Sequence, residues 1–265
     1  MKWIKRLSIF LGCLYLLICG LLFFYQDALI FHPRARAWDH SYGNYEEDWV
    51  SLTDGTRLNA LRIKAKAGNG QGVVLYLHGN VGDNGRSIYQ TRTLQGLSYD
   101  LYLVDYRGFG KSESIVDGEE DMTEDFQLVY DRLVGEYGEE NIILAGYSLG
   151  TGPASFLAAN NEPKGVVLIA PYTSLVDMKN EFFWMFPDFL MKYELNNLRY
   201  LQASKSPVTI LHGTADKLIP FRMGEQLAAI DAGRMKLVAL QETGHRGAVL
   251  HAQFGKAVAA LIAGK

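Results

Sequence analysis

Five short apolar runs set the rhythm of the chain: Val73–Leu77, Leu101–Val104, Ile142–Ala145, Val166–Ile169 and Val208–Leu211, each bounded by Gly, Pro or Asp. Runs this short and this uniformly apolar predict strands buried on both faces. Between them the period changes. Met122, Phe126, Val129, Leu133 and Tyr137 put one apolar stripe on a helix starting near Gly118. Strand, helix, strand alternation predicts an α/β fold with a mostly parallel, doubly wound sheet. Upstream, Trp49–Leu52 and Arg57–Leu61 flank an Asp54-Gly55 turn, which predicts a hairpin adding antiparallel strands at one edge.

Two stretches break this rhythm. Leu7–Tyr25 carries no charge over 19 residues, and at ~1.5 Å per residue it spans the ~30 Å hydrocarbon core of a bilayer. Lys2, Lys5 and Arg6 precede it and Asp27 is the first charge after it. The positive-inside bias then predicts a cytoplasmic N-terminus over 1–6, a transmembrane anchor over 7–25, and residues 26–265 on the far, extracytoplasmic side. Three rival readings fit less well. A signal peptide cut at Ala35-Arg36-Ala37 leaves about ten residues between the apolar run and the cut, longer than the usual spacing. A lipoprotein signal at Cys13 leaves apolar residues where a polar linker belongs, and a buried helix of a soluble protein would show a polar face. The second break, about 171–206, is too long for a loop and carries Phe182-Phe183-Trp184-Met185-Phe186 followed by Phe189, Leu190 and Met191. It reads as an inserted helical cap.

Composition excludes several classes. With 48% hydrophobic residues the chain has too much apolar surface to stay disordered. Its 26 basic against 29 acidic residues give −3, without the basic excess that a nucleic-acid partner requires. Its two cysteines, Cys13 and Cys19, both lie in the N-terminal run, so a disulfide framework, zinc knuckle or cysteine nucleophile in the folded body is excluded. Gly110-Lys111-Ser112 mimics the end of a phosphate loop, but Asp105 stands where that motif needs glycine, and no H-E-x-x-H occurs. No metal or cofactor is expected.

The chemistry points to one serine. Gly146-Tyr147-Ser148-Leu149-Gly150 directly follows a predicted strand and precedes a helical pattern, the context that exposes a serine hydroxyl on a sharp strand-to-helix turn. Such a hydroxyl needs a base within hydrogen-bond reach, itself oriented by a carboxylate. Among six histidines, His245 sits in a Gly-flanked loop between the strand Lys236–Leu240 and the last helix, while His78 and His212 each end a strand and suit structural roles. Asp216 follows the strand Val208–Leu211; Asp105 is similarly placed but precedes the serine and reads as a loop-stabilising partner of Arg107.

The order Ser148, Asp216, His245 is that of the α/β-hydrolase superfamily. Together with His78-Gly79-Asn80, the run from Asp105 to Ser112 and Gly244-His245, it makes about residues 45–262 resemble that family. Pro171-Tyr172-Thr173-Ser174 further resembles its small-capped, N-terminally anchored subgroup related to serine-aminopeptidase-like and lysophospholipase-like hydrolases. The resemblance implies an α/β-hydrolase fold, hydrolysis through an acyl-enzyme, no metal or organic cofactor, and an oxyanion hole from the backbone N–H of Leu149 and of Asn80, with Val81 as the alternative. The expected function is a serine hydrolase of acyl esters or thioesters acting on a small-molecule or lipid acyl substrate. Acyl transfer or peptide cleavage by the same triad, and a non-catalytic binding protein on this fold, are the alternatives. The aromatic cluster has three fates: packing on the sheet edge, contact with the bilayer surface, or the wall of an acyl pocket. The last is the expectation, with Tyr172, Phe182, Phe183 and Phe186 as substrate-binding residues.

Overall fold

The computed structural model describes residues 1–65 and 70–264; Lys265, the last residue of the expected hydrolase domain, lies outside them. The uncharged run folds within one long helix, α1 (Lys2–Ile30), which continues past Tyr25. It stops where Pro33 disfavours helical backbone in the residue before it, and the chain leaves as β1 (His32–Pro33). The hairpin follows as β2 (Glu46–Ser51) and β3 (Arg57–Ile63), antiparallel with Val50 opposite Leu58. Its turn closes because Gly55 adopts φ +86°, which side chains disfavour.

The chain continues through β4 (Val73–Leu77), β5 (Val81–Gly82), α2 (Asn84–Gln90) and β6 (Asp100–Val104) to α3 (Glu119–Tyr137), which starts directly after Gly118. Next come β7 (Ile142–Tyr147), α4 (Thr151–Asn160), β8 (Gly165–Ile169) and the cap helices α5 (Leu175–Phe183) and α6 (Asn197–Ala203). The rest is β9 (Val208–Gly213), α7 (Phe221–Ala228), β10 (Met235–Leu240), the single turn α8 (His245–Ala248) and α9 (Ala252–Ile262).

Among the described residues the main sheet runs β10-β9-β8-β7-β4-β6-β3-β2, parallel from β10 to β6, with β3 and β2 antiparallel at the edge. Alternate strand residues feed two cores. Val73, Leu75 and Leu77 face the layer containing α3, α4, α6 and α7; Val74 and Tyr76 face the layer containing α9. Met122, Phe126, Val129 and Leu133 on α3 are fully buried, each stabilising the fold by about 1.5–3 kcal/mol. This is the α/β-hydrolase architecture, with the carboxyl ends of the strands converging on one edge.

Two features were not evident from periodicity. Residues 32–36 form a strap laid onto the body: β1 pairs in parallel with β5, the Arg34 and Arg36 N–H groups donate to Gly82 and Gly110 carbonyls at 2.8 and 2.6 Å, and the Arg36 guanidinium binds buried Asp83. A chain cut after Ala37 would lose every one of these bonds. The cap, in turn, lies along α1. The Tyr15 hydroxyl donates to the Met185 carbonyl at 2.8 Å and its ring stacks on Phe186. Farther along, Gln26 bridges Leu190 and Lys192, and Asp27 accepts from Lys192 Nζ at 2.9 Å and the Tyr193 hydroxyl at 2.7 Å.

Candidate active site

The turn between β7 and α4 is tight enough to exclude side chains at both glycines. A Cβ on Gly146 would strike Thr151 and Ala154 on α4, and one on Gly150 would strike the backbone carbonyls of Leu77 and His78. Between them Ser148 is held at φ +53°, a conformation of order 1–3 kcal/mol above the helical and extended regions. Its carbonyl accepts from the Thr151 hydroxyl at 2.7 Å, which pins the turn to the first residue of α4.

The three residues named for a triad come from three loops at the carboxyl edge of the sheet and meet there. Ser148 Oγ lies 3.0 Å from His245 Nε2, and His245 Nδ1 lies 2.8 Å from Asp216 Oδ2. Asp216 Oδ1 accepts the backbone N–H groups of Leu218 and Ile219, both at 2.9 Å. Burial pushes the Asp216 carboxyl up, but its bond to His245, the imidazolium charge and these N–H donors outweigh it and hold the group below the ordinary carboxylate range. An ionised Asp216 fixes the histidine with Nδ1 as donor, which leaves Nε2 free to accept the serine proton. The Tyr147 ring packs against His245 from the elbow side.

His212 and His78 add no hydrogen bond to this chain of bonds, although His212 Nε2 lies 3.6 Å from Asp216 Oδ2. His212 is fully buried, donates from Nε2 to the Ile219 carbonyl at 3.0 Å, and is pushed down by burial. It braces the loop that carries Asp216. Buried His78 faces Asp105, at 3.3 Å from Nε2 to Oδ1, and burial raises that carboxyl. Asp105 is therefore not the partner of Arg107, which pairs instead with Asp54, Asp121 and Asp125. The local D-x-R spacing concealed that the two side chains leave the backbone in different directions.

Leu149 is buried beside Ser148, and its carbonyl accepts from the Tyr172 hydroxyl at 3.1 Å. Tyr172, expected to line a substrate pocket, is 1% exposed; it has no surface to offer a ligand and instead holds the backbone of the elbow from below. Asn80 follows Gly79, which packs on Ser148 Cβ at 3.4 Å from an added Cβ. The Asn80 side chain donates to the Ile30 carbonyl and its own carbonyl accepts from His32 N–H, both at 2.8 Å. Val81 lies one residue farther, on β5, with its side chain exposed.

Phe182, Phe183 and Phe186 line an apolar cavity of about 300 Å³, but α1 supplies four of its thirteen lining residues, Leu22, Gln26, Leu29 and Ile30. Leu218, whose N–H donates to Asp216, is also part of the lining. No sequence signal tied α1 to this cavity, because its residues lie more than 140 positions from the rest of the wall in the chain.

Comparison with known proteins agrees with this architecture. The chain is 29% identical to the lysophosphatidylserine lipase ABHD12 of Gallus gallus over 237 residues, covering 76% of this chain and 61% of that one. It is 28% identical to the human α/β hydrolase domain-containing protein 17B over 234 residues, covering 84% and 78%. It spans only 46–61% of the lysophosphatidylserine lipases it matches in Danio rerio and Gallus gallus. Among solved structures, an esterase of Pyrococcus furiosus superposes with a TM-score of 0.66 at 16% identity, covering 88% of this chain and 97% of that one, a likeness of fold. Residues 68–204 match the serine aminopeptidase, S33, family, and the chain belongs to that family within the α/β-hydrolase superfamily.

Proposed function

We propose that the protein is a membrane-anchored serine hydrolase that cleaves acyl esters or thioesters of lipids through an acyl-enzyme. The observation that carries the reading is the unbroken run Ser148 Oγ, His245 Nε2, His245 Nδ1, Asp216 Oδ2, with spacings of 3.0 and 2.8 Å. In the first half-reaction His245 takes the serine proton as Oγ attacks the acyl carbon. The tetrahedral oxyanion accepts the N–H groups of Leu149 and Asn80, and the imidazolium passes its proton to the leaving alkoxide or thiolate. Water then attacks the acyl carbon as His245 takes its proton, and His245 returns that proton to Ser148 Oγ as the C–Oγ bond breaks and the acid departs. Asp216 stays ionised throughout and stabilises the imidazolium.

The acyl chain occupies the cavity between cap and α1. Its lining supports this reading, as does its position: Leu218 ties the lining to the Asp216 loop, and Ile30 ties α1 to Asn80. α1 is long and apolar enough to cross a membrane. With residues 7–25 in the bilayer, the Tyr15–Tyr25 part beside the cap corresponds to about 15 Å of helix, roughly one leaflet. The cap would then be immersed in lipid, which accounts for Trp184 and Phe189 being 75% and 80% exposed. The basic N-terminus stays cytoplasmic and the catalytic domain lies across the membrane.

Fluorophosphonate labelling of the full chain in membranes tests the core of this reading. Wild type should label and Ser148→Ala should not; labelling that survives Ser148→Ala overturns it. Protease added to sealed vesicles of known sidedness reads the orientation.

A further inference from the structure

Across the strap from the apolar cavity lies a second one of quite different chemistry. It measures about 630 Å³ and is walled by the strap, β5, α2 and the turn that carries His245. Four guanidinium groups, those of Arg34, Arg36, Arg86 and Arg246, line it against a single carboxylate, Asp83. That carboxylate is buried and taken by Arg36. Among the described residues, the side chains of Arg34, Arg86 and Arg246 reach no carboxylate and donate no hydrogen bond to the protein. Four arginines elsewhere, Arg57, Arg62, Arg107 and Arg132, each find at least one acidic partner. A surplus of three unpaired forks around one hollow is the donor set for a tetrahedral oxoanion.

The lining is linked to the candidate active site through the residues next to it. Arg246 directly follows His245 in sequence. Arg86 packs on Gly82, where an added Cβ would fall 2.9 Å from its Cδ. Both positive charges act on the phenol of Tyr147, the residue before Ser148, whose hydroxyl donates to the His245 carbonyl at 3.4 Å. Asn80 stands between the two hollows. Its side chain binds Ile30, which lines the apolar one, and its carbonyl binds His32, which lines the polar one.

We propose that the arginine-lined cavity binds a phosphate or phosphodiester in the leaving half of the ester, so that the preferred substrate is an acyl ester of a phosphorylated alcohol. The proposal rests on the serine-hydrolase reading and assigns its second subsite. The bond broken is the acyl C–O bond; the alkoxide oxygen takes its proton from His245 and the phosphate leaves intact on the alcohol.

Two measurements on the full chain in neutral-detergent micelles test it. Calorimetry with the Ser148→Ala chain reads the site without turnover: glycerol 3-phosphate should bind saturably and glycerol should not. Arg86→Gln, and the strap variant Arg34→Gln at an exposed position, should each weaken that binding about tenfold. No binding overturns the proposal. Inorganic phosphate binding as tightly as glycerol 3-phosphate identifies a free-anion site and overturns the leaving-group assignment. In the second measurement, kcat/KM is compared for a lysophosphatidylglycerol and a monoacylglycerol of the same chain. Wild type should favour the anionic ester, and the ratio should fall about tenfold in either arginine variant; an unchanged ratio overturns it. Binding of glycerol 3-phosphate by a protein that hydrolyses neither ester would leave the anion site standing and reject the hydrolase reading instead.

Discussion

The elbow and the cap sit within one domain yet are held in opposite ways. Around Ser148 the protein packs closely: Gly146 and Gly150 admit no side chain, Tyr172 grips Leu149 from below, and Asp216 takes two backbone donors besides His245. In the cap none of the α5 side chains is buried, Phe182, Phe183 and Met185 are more than half exposed, and the inner side meets α1. The first region carries its geometry in its own packing. The second is completed by another helix and, in our reading, by lipid. Positions that must be accurate to tenths of an ångström are fixed by the polypeptide alone, while the surface we propose for a variable acyl chain is left open.

The largest effects should fall at the elbow. Ser148→Ala and His245→Ala are each expected to lower kcat by about 10⁴–10⁶, non-additively, and Asp216→Asn by about 10⁴, read on a p-nitrophenyl ester with the full chain. Next comes packing. Gly150→Ala places a methyl group on two backbone carbonyls that cannot step aside and should cost about 3 kcal/mol or more. Trp184→Ala, at an exposed position, should stay within about 0.5 kcal/mol in detergent; chemical denaturation of both variants checks the contrast, and equal losses would erase it.

The cap should act on selectivity. kcat/KM is expected to rise by about one to two orders of magnitude from acetyl to hexanoyl esters, each buried CH₂ contributing up to ~0.8 kcal/mol. Phe186→Ala and Leu29→Ala should both flatten that rise, since both line one cavity. A flat wild-type profile would reduce the cap to packing. The smallest effect concerns acid. Because Asp216 is held below the ordinary range when folded, the unfolded chain binds more protons as pH falls. Its stabilisation is complete above that range and disappears through the folded value, so the stability gap between wild type and Asp216→Asn should narrow below about pH 4.

What could be read from the chain alone follows the same division. The buried strands and the elbow were legible because their requirements are local: β-rich runs, two glycines at fixed spacing, a turn after each strand. Tyr172 was misplaced because its neighbourhood looks like a strand end, and only the tertiary packing turns its hydroxyl toward Leu149. The strap and the arginine cavity were invisible for another reason. Arg34, Arg86 and Arg246 are spread over more than 200 residues, and nothing in their surroundings marks them as companions.

The strap has a consequence for how such an enzyme would meet its substrate. A catalytic domain on a loose linker tumbles, and its collisions scale with bulk concentration. Here His32–Arg36 is stitched to β5 and Gly110, and α1 to the cap, so no free hinge separates helix from domain. With α1 in a bilayer, the mouth of the site keeps one bearing to the membrane normal. Turnover would then follow the mole fraction of ester within the leaflet, and diluting that ester with inert lipid should slow the reaction even at constant total amount.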